Sequence, residues 1–323
     1  MRLLITSDFH FGLSRKAHFT AESSSRREEV SRDLLKQILE TPHDQAICVG
    51  DFFDRFSNPE TVILQTVPLA RRFSRILAGN HDVSNREGTE GSLTVLAEIL
   101  RDTPTHVVMG EPAWMGSAAF VPHQLTQEAF EAAIDRVCQQ AADKPGWRLL
   151  FLHCNVLSPF DGSLSSLNLT EDLAHQALSA FHHIVVGHEH NPRQLFDDRL
   201  WVVGSHFTVA FDQLGDHRHL VFDTETGQME SITHWRADEH VYTGQDTDAP
   251  PGRQFYDLTE CRDSRSPMRL FKEGALGVRV APPERREAVT TLTRTQFRTL
   301  NDEISDLLKD EPELLNLWRQ MAC

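Results

Sequence analysis

The stretch Val185-Val186-Gly187-His188-Glu189-His190 decides how the rest of the chain is read. β-Branched residues running into a glycine describe a buried strand that ends in a loop, and two histidines follow at a spacing of two. Residues two apart in extended backbone leave on the same face, so both imidazoles point one way. Alone, such a pair is part of a metal site or a coincidence. Its weight comes from other segments built alike, an apolar strand followed by a polar cluster.

Residues 2–6 are apolar and run into Ser7-Asp8-Phe9-His10-Phe11-Gly12, where Asp8 and His10 repeat the spacing of two. Residues 46–49 run into Gly50-Asp51-Phe52-Phe53-Asp54, residues 75–78 into Gly79-Asn80-His81-Asp82, and residues 147–152 into His153-Cys154-Asn155. Helical periodicity fills the intervals, at 26–40, 59–73, 92–100, 127–142 and 170–180, with Thr126 as an N-cap and Pro68 as a break or kink. Residues 14–25 read as a loop. Alternating strands and helices predict an α/β fold with a sheet whose ligand site lies outside the carboxyl ends of its strands. Beyond Pro192 the texture changes to short strands and turns at 200–204, 219–223 and 229–233, which predicts antiparallel pairing. Residues 246–252 read as a linker, 255–258 and 276–281 as further strands, and 283–321 as helical.

The strand-end groups Asp8, His10, Asp51, Asn80, His153, His188 and His190 comprise two carboxylates, one amide and four imidazoles. That set exceeds the three protein ligands of a catalytic zinc. It suits two cations of manganese, iron or zinc type. A carboxylate must bridge cations roughly 3.5–4 Å apart, and Asp51 is the candidate because the preceding glycine lets the turn bring it inward. Two such cations activate a water and clamp both oxygens of an in-line displacement, for which a phosphate ester is the natural electrophile. His81 is left over from the ligand count and can protonate a leaving oxygen or stabilise phosphoryl charge. Asp82 is expected to hold its tautomer.

In this order, D-x-H, G-D-x-x-D, G-N-H-D, a lone H and G-H-x-H resemble the signature of calcineurin-like metallophosphoesterases, over residues 1 to about 190. The resemblance implies a four-layer αββα core, two mixed sheets flanked by helices. It implies that Asp8, His10, Asp51 and His190 bind one metal, that Asp51, Asn80, His153 and His188 bind the other, and that His81 is the acid-side histidine. Within that superfamily Ser7-Asp8-Phe9-His10-Phe11-Gly12, Gly50-Asp51-Phe52-Phe53-Asp54 and Gly204-Ser205 followed by Phe211 are similar to SbcD-type nucleases of bacteria and phages. This narrower resemblance implies a DNA exonuclease and endonuclease that processes ends in repair and recombination. It implies two divalent ions, manganese foremost with magnesium, iron or zinc compatible. The implied partners are DNA, a second copy of the chain and an SbcC-type P-loop ATPase of the coiled-coil class. It divides the chain into a nuclease domain at 1–204, a small α+β cap at 205–282, and a C-terminal helical segment at 283–323 that docks the ATPase. A phosphatase or small-molecule phosphodiesterase on the same fold is the alternative, and a non-enzymatic scaffold is a third reading that the full ligand set disfavours.

Composition sets bounds. A net charge of −15 argues against a broad basic surface that grips nucleic acid unaided, but not against a phosphate held by cations. The five cysteines form no C-x-x-C pair, and no run is apolar enough for a signal peptide or a membrane span, so a cytoplasmic protein is expected. Plainer readings cover the remaining residues. His43, His123, His182, His183, His206, His217, His219, His234 and His240 are expected to be solvated. Cys154 is expected to be packing and Arg26-Arg27 solvated charge. Asp54 either orients His81 or substrate, or caps the next helix.

Overall fold

The computed structural model describes residues 1–13, 20–84, 90–158, 167–263 and 265–280. The expected helical segment 283–323 lies outside them, as do residues 14–19 of the first expected loop and the residues around Pro159 and Gly162.

The chain runs β1 (Arg2–Thr6), α1 (Ala21–Ile38), β2 (Gln45–Cys48), α2 (Glu60–Ala70), β3 (Arg75–Leu77), α3 (Ser92–Ile99) and β4 (His106–Val108). Next come β5 (Ala113–Met115), β6 (Ala118–Val121), α4 (Gln127–Ala141), β7 (Leu149–His153), the short β8 (Asn155–Val156) and β9 (Asn168–Leu169), α5 (Glu171–Ala180) and β10 (His183–Gly187). The remainder is β11 (Arg193–Leu195), β12 (Leu200–Val202), β13 (His217–Asp223), β14 (Met229–Trp235), α6 (Ala237–His240), β15 (Val241–Gln245), β16 (Phe255–Glu260), α7 (Ser266–Lys272) and β17 (Gly277–Val280).

Two six-stranded mixed sheets carry the fold, ordered β14-β13-β1-β2-β3-β4 and β11-β12-β10-β7-β6-β5. In the first, β1 to β4 are parallel, and β13 and β14 add antiparallel strands beside β1. In the second, β12, β10, β7 and β6 are parallel, with antiparallel edges β11 and β5. Strand alternation builds four layers. Leu3, Ile5, Ile47, Val185, Phe120 and Phe151 meet between the sheets. Their neighbours Leu4, Ala46, Cys48 and Ile76 face the other way, onto α1, α2 and α3. Leu150, Leu152, Ile184 and Val186 pack on α4 and α5. This is the αββα arrangement implied by the motifs.

The structure departs from expectation where local chemistry overrides pattern. Helix α1 starts at Ala21, inside the stretch expected to be loop. Thr20 Oγ1 accepts the Ser23 N–H at 3.1 Å, and Ser23 Oγ accepts the Thr20 N–H at 2.9 Å, a capping box that polar composition disguises. Helix α2 continues through Pro68 to Ala70, and Leu64, whose carbonyl loses its donor, is exposed to water. Thr126 caps α4, accepting the Ala129 N–H at 3.2 Å.

The stretch 205–282 divides between two places. Its β13 and β14 complete the first sheet, while β15, β16 and β17 form a separate parallel sheet packed on α7. The expected linker at 246–252 packs against that small sheet, with Ala249 in its core. Buried Asp246 accepts the N–H groups of Arg262 and Asp263 and the Ser266 hydroxyl.

Candidate metal centre

The loops that follow β1 and β2 split their motifs by alternation. Asp8 and His10, 0% and 1% exposed, turn to one side. Phe9 and Phe11 turn to the other and pack on Phe52, with ring centroids 5.6 and 5.3 Å away. The phenylalanines therefore anchor the loops that carry the polar groups. Backbone hydrogen bonds from Asp8 to Gly50, His10 to Asp51 and Phe11 to Phe52, each 3.1 Å, lash the two loops together. This matters because Asp8, His10, Asp51 and His188 occupy left-handed backbone, with φ of 56°, 49°, 48° and 87°. Such a conformation costs a non-glycine residue roughly 1–3 kcal/mol and persists only where its surroundings impose it. Gly50, as expected, has φ of 103°. Gly79 serves by lacking a side chain: a Cβ there would collide with Asp51 Oδ1 and stand 2.7 Å from His153 Nε2.

All seven strand-end groups come together. His10 Nε2 lies 3.0 Å from His190 Nε2, 3.7 Å from Asp51 Oδ2 and 4.0 Å from Asp8 Oδ1. His190 Nε2 is 3.7 Å from Asp8 Oδ1. On the other side His153 Nε2 lies 3.2 Å from Asp51 Oδ1 and 3.1 Å from Asn80 Oδ1, and Asn80 Oδ1 is 2.8 Å from His188 Nδ1. Among the described residues two clusters share Asp51, namely Asp8, His10, Asp51 and His190, and Asp51, His153 and His188, and a third joins His10, Asp54 and His81; in each the ligand-type atoms lie within 4.8 Å of one another.

The donor set fits cations. His153 Nδ1 faces Val49 O at 2.8 Å, so a neutral ring donates there and turns the Nε2 lone pair toward Asp51 and Asn80 oxygens. Lone pairs converging on one another need a proton or a cation between them. The protein's own electrostatics make the same demand. Burial disfavours charge on His153, but the neighbouring Asp51 carboxylate outweighs it and lifts the imidazole to about 9. Burial likewise opposes charge on His10, yet Asp54, Asp51 and Asp8 hold its pKa above the ordinary value. Burial would raise Asp51, but His153 and then His10 hold it well below the usual carboxylate range. Buried negative charge of this density requires compensation, which a divalent ion would supply.

His81 stands beside this centre. Its backbone N–H donates to Asp51 Oδ1 at 3.0 Å, and its Nδ1 donates to the Asp54 carbonyl at 2.7 Å. That fixes the neutral tautomer, with the proton on Nδ1 and the lone pair on Nε2. Asp82, expected to orient His81, does something else: its carboxylate accepts the N–H groups of Phe52, Phe53 and Gly79 at 2.9–3.1 Å. It shapes the loops instead, and burial followed by the Asp51 charge pushes it up to about 7. Asp54 caps no helix, since α2 begins after Pro59. Its carboxylate lies 3.3 Å from His10 Nδ1 while its carbonyl holds His81.

Several groups read as solvated are not. Arg27 is 3% exposed and donates to the carbonyls of Thr208 and Val209. His206, His217 and His219 are buried at 0–2% exposure. His123 follows β6 directly, and its N–H donates to Ala78 O at 3.0 Å. Burial, then the His153 charge, keeps it neutral down to about 4. Its sequence signal was its place at a strand end, the feature that marked the other seven. Cys154 is buried packing, as expected, with burial raising its thiol pKa above the ordinary value.

The family model for calcineurin-like phosphoesterases matches residues 1–192. No curated protein matches the sequence. Among solved structures, an archaeal phosphodiesterase is similar at 14% identity and a TM-score of 0.36, over 72% of this chain and 99% of that one. A metallophosphoesterase from Sphaerobacter thermophilus is similar at 13% and 0.34, over 72% and 88%. A calcineurin-like phosphoesterase from Bacillus subtilis is similar at 11% and 0.37, again over 72% and 88%.

Proposed function

We propose that this chain, which belongs to the calcineurin-like phosphoesterase family, is a two-metal phosphodiesterase that cuts DNA at or near ends in the manner of the SbcD-type nucleases. The observation that carries the reading is a pair of ligand clusters sharing one buried carboxylate, Asp51. Asp8, His10, Asp51 and His190 would hold one divalent ion and Asp51, Asn80, His153 and His188 the other, with manganese the expected metal. When bound, such ions polarise the phosphoryl oxygens and lower the pKa of a water between them. The remaining work falls to the chain. Asp51 would span both positions, Asn80 Oδ1 would complete the set that His153 and His188 begin, and His81, fixed through Nδ1, delivers a proton from Nε2 to the departing oxygen.

The choice of DNA is supported by the three motif segments that resemble the SbcD type. A homodimer and a coiled-coil P-loop ATPase belong to the same proposal. That partner would supply the grip on DNA that a chain of net charge −15 lacks. Deleting residues 283–323 is then expected to weaken ATPase binding and to spare cleavage of short substrates. Equal binding by the deleted form would place docking elsewhere.

The deciding assay gives the purified protein manganese with single- and double-stranded DNA of defined ends, alongside a generic phosphomonoester. Cleavage of DNA with the monoester spared supports the nuclease. The reverse result selects the phosphatase, the reading that the net charge of −15 favours.

A further inference from the structure

The two histidine ligands of the G-H-x-H loop flank Glu189, whose side chain leaves the centre and reaches the segment after His153. Glu189 Oε1 accepts the Val156 N–H at 2.6 Å. Arg193 Nη2 lies 2.7 Å from Glu189 Oε1 and 2.6 Å from Oε2, and donates to Val156 O at 2.6 Å. The result is a closed ring, Val156 N–H to carboxylate, carboxylate to guanidinium, guanidinium back to Val156 C=O.

The ring fills a specific need. In the parallel pairing of β8 with β9, the N–H groups of Asn155 and Leu157 donate to Leu167 and Leu169. The N–H and C=O of Val156 therefore point to the opposite side, where no strand lies beside β8 among the described residues. The ion pair takes the place of that missing strand. It also spans the two ligand-bearing elements, since β8 begins two residues after His153 and Glu189 sits between His188 and His190. Both sides carry strained backbone, with φ of 53° at Leu157 and 87° at His188. The far end is anchored as well, because Arg193 begins β11 and its carbonyl accepts from Arg218 Nη2 at 3.0 Å.

We propose that the Glu189–Arg193 ion pair is a positioning clamp that stands in for a β-strand beside Val156 and fixes the His188–His190 loop relative to His153, so setting the affinity of the centre for its second metal. The proposal rests on the two-metal reading above. With side chains 39% and 21% exposed, the pair adds little stability through its charges alone. Its contribution is geometric, as for the partners that orient metal ligands elsewhere, whose loss typically lowers affinity about 10- to 100-fold.

The test uses the full chain with Glu189→Ala and Glu189→Gln, the latter keeping an acceptor for Val156 without the charge. Two readouts are taken: amide hydrogen exchange at Val156 in metal-free protein, and manganese binding by calorimetry. The clamp predicts faster exchange at Val156 in Glu189→Ala, a second manganese site weakened about 10- to 100-fold, and partial recovery of both in Glu189→Gln. Faster exchange with unchanged manganese affinity would reduce the pair to local support and overturn the positioning role. Unchanged exchange and affinity would overturn the clamp altogether. Wild-type protein that takes up no manganese would overturn the metal reading first and the clamp with it, an outcome visible before any variant is made.

Discussion

The Nε2 atoms of His10 and His190 stand 3.0 Å apart although 180 residues separate them and each follows a strand of a different sheet. Two neutral imidazoles at that distance share one proton, and the three carboxylates around His10 favour positive charge between them. The contact thus marks where the sheets close on each other.

Replacing Asp51 tests the bridge. Asp51→Ala removes the only carboxylate common to both clusters among the described residues. Calorimetry should show that two-ion stoichiometry is lost. Phosphodiesterase activity should fall by ~10³-fold or more, because a bound metal supplies several kcal/mol of transition-state stabilisation. Retained activity would reject the shared-carboxylate assignment.

His81 should separate chemistry from binding. Its Nδ1 is tied to Asp54, and its side chain belongs to neither Asp51 cluster. His81→Ala should leave metal content near normal while kcat drops about 10²- to 10⁴-fold, the usual size of a general-acid contribution. Loss of both metals, measured by elemental analysis, would move His81 into the ligand set.

Gly79→Ala is expected to disorganise the centre although it adds a single methyl. The new Cβ would meet Asp51 Oδ1 and the Asp51 backbone nitrogen, neither of which can move without displacing a ligand. Overpacking of this kind costs about 1–3 kcal/mol. A lower Tm together with weakened manganese uptake is the expected pair of results.

Acid should destabilise the metal-free protein. Burial first of all holds His206 at about 3 and His123, His188, His217 and His219 at about 4. These rings are neutral in the fold and titrate near 6.5 when unfolded, so below that pH the unfolded chain binds more protons. Their contribution is complete above about pH 6.5 and is lost as pH falls toward 4, by about 1.4 kcal/mol per pH unit for each ring. Asp82, held at about 7, Glu28, raised by burial, and His10 and His153, raised against burial by neighbouring carboxylates, act in the opposite sense but are outnumbered. Tm should therefore fall between pH 7 and pH 5, and His219→Gln should flatten the slope.

Much of the centre was legible before folding because each ligand sits at the end of an apolar run, and that arrangement is local. Strand β1 followed by Asp8 and His10, β2 by Asp51, β3 by Asn80, β7 ending in His153, and β10 by His188 and His190 all appear in the linear order. Thr126 and Gly50 were readable for the same reason, since caps and left-handed turns depend on neighbouring residues. Helix α1 was clipped because its capping box lies in a serine-rich stretch that also suits a loop.

What the sequence by itself determined, then, is which residues face inward and which polar groups stand at strand ends, because side-chain periodicity and turn chemistry act over a few residues. Only the tertiary structure decided which distant surfaces meet. It paired β13 with β1. It buried Arg27 against the carbonyls of Thr208 and Val209, and gave Asp82 to backbone amides rather than to His81. It joined Glu189 and Arg193 to Val156. An apolar face specifies that it must be covered but not by what, and a polar side chain acquires its partner only when packing has brought one within hydrogen-bonding reach.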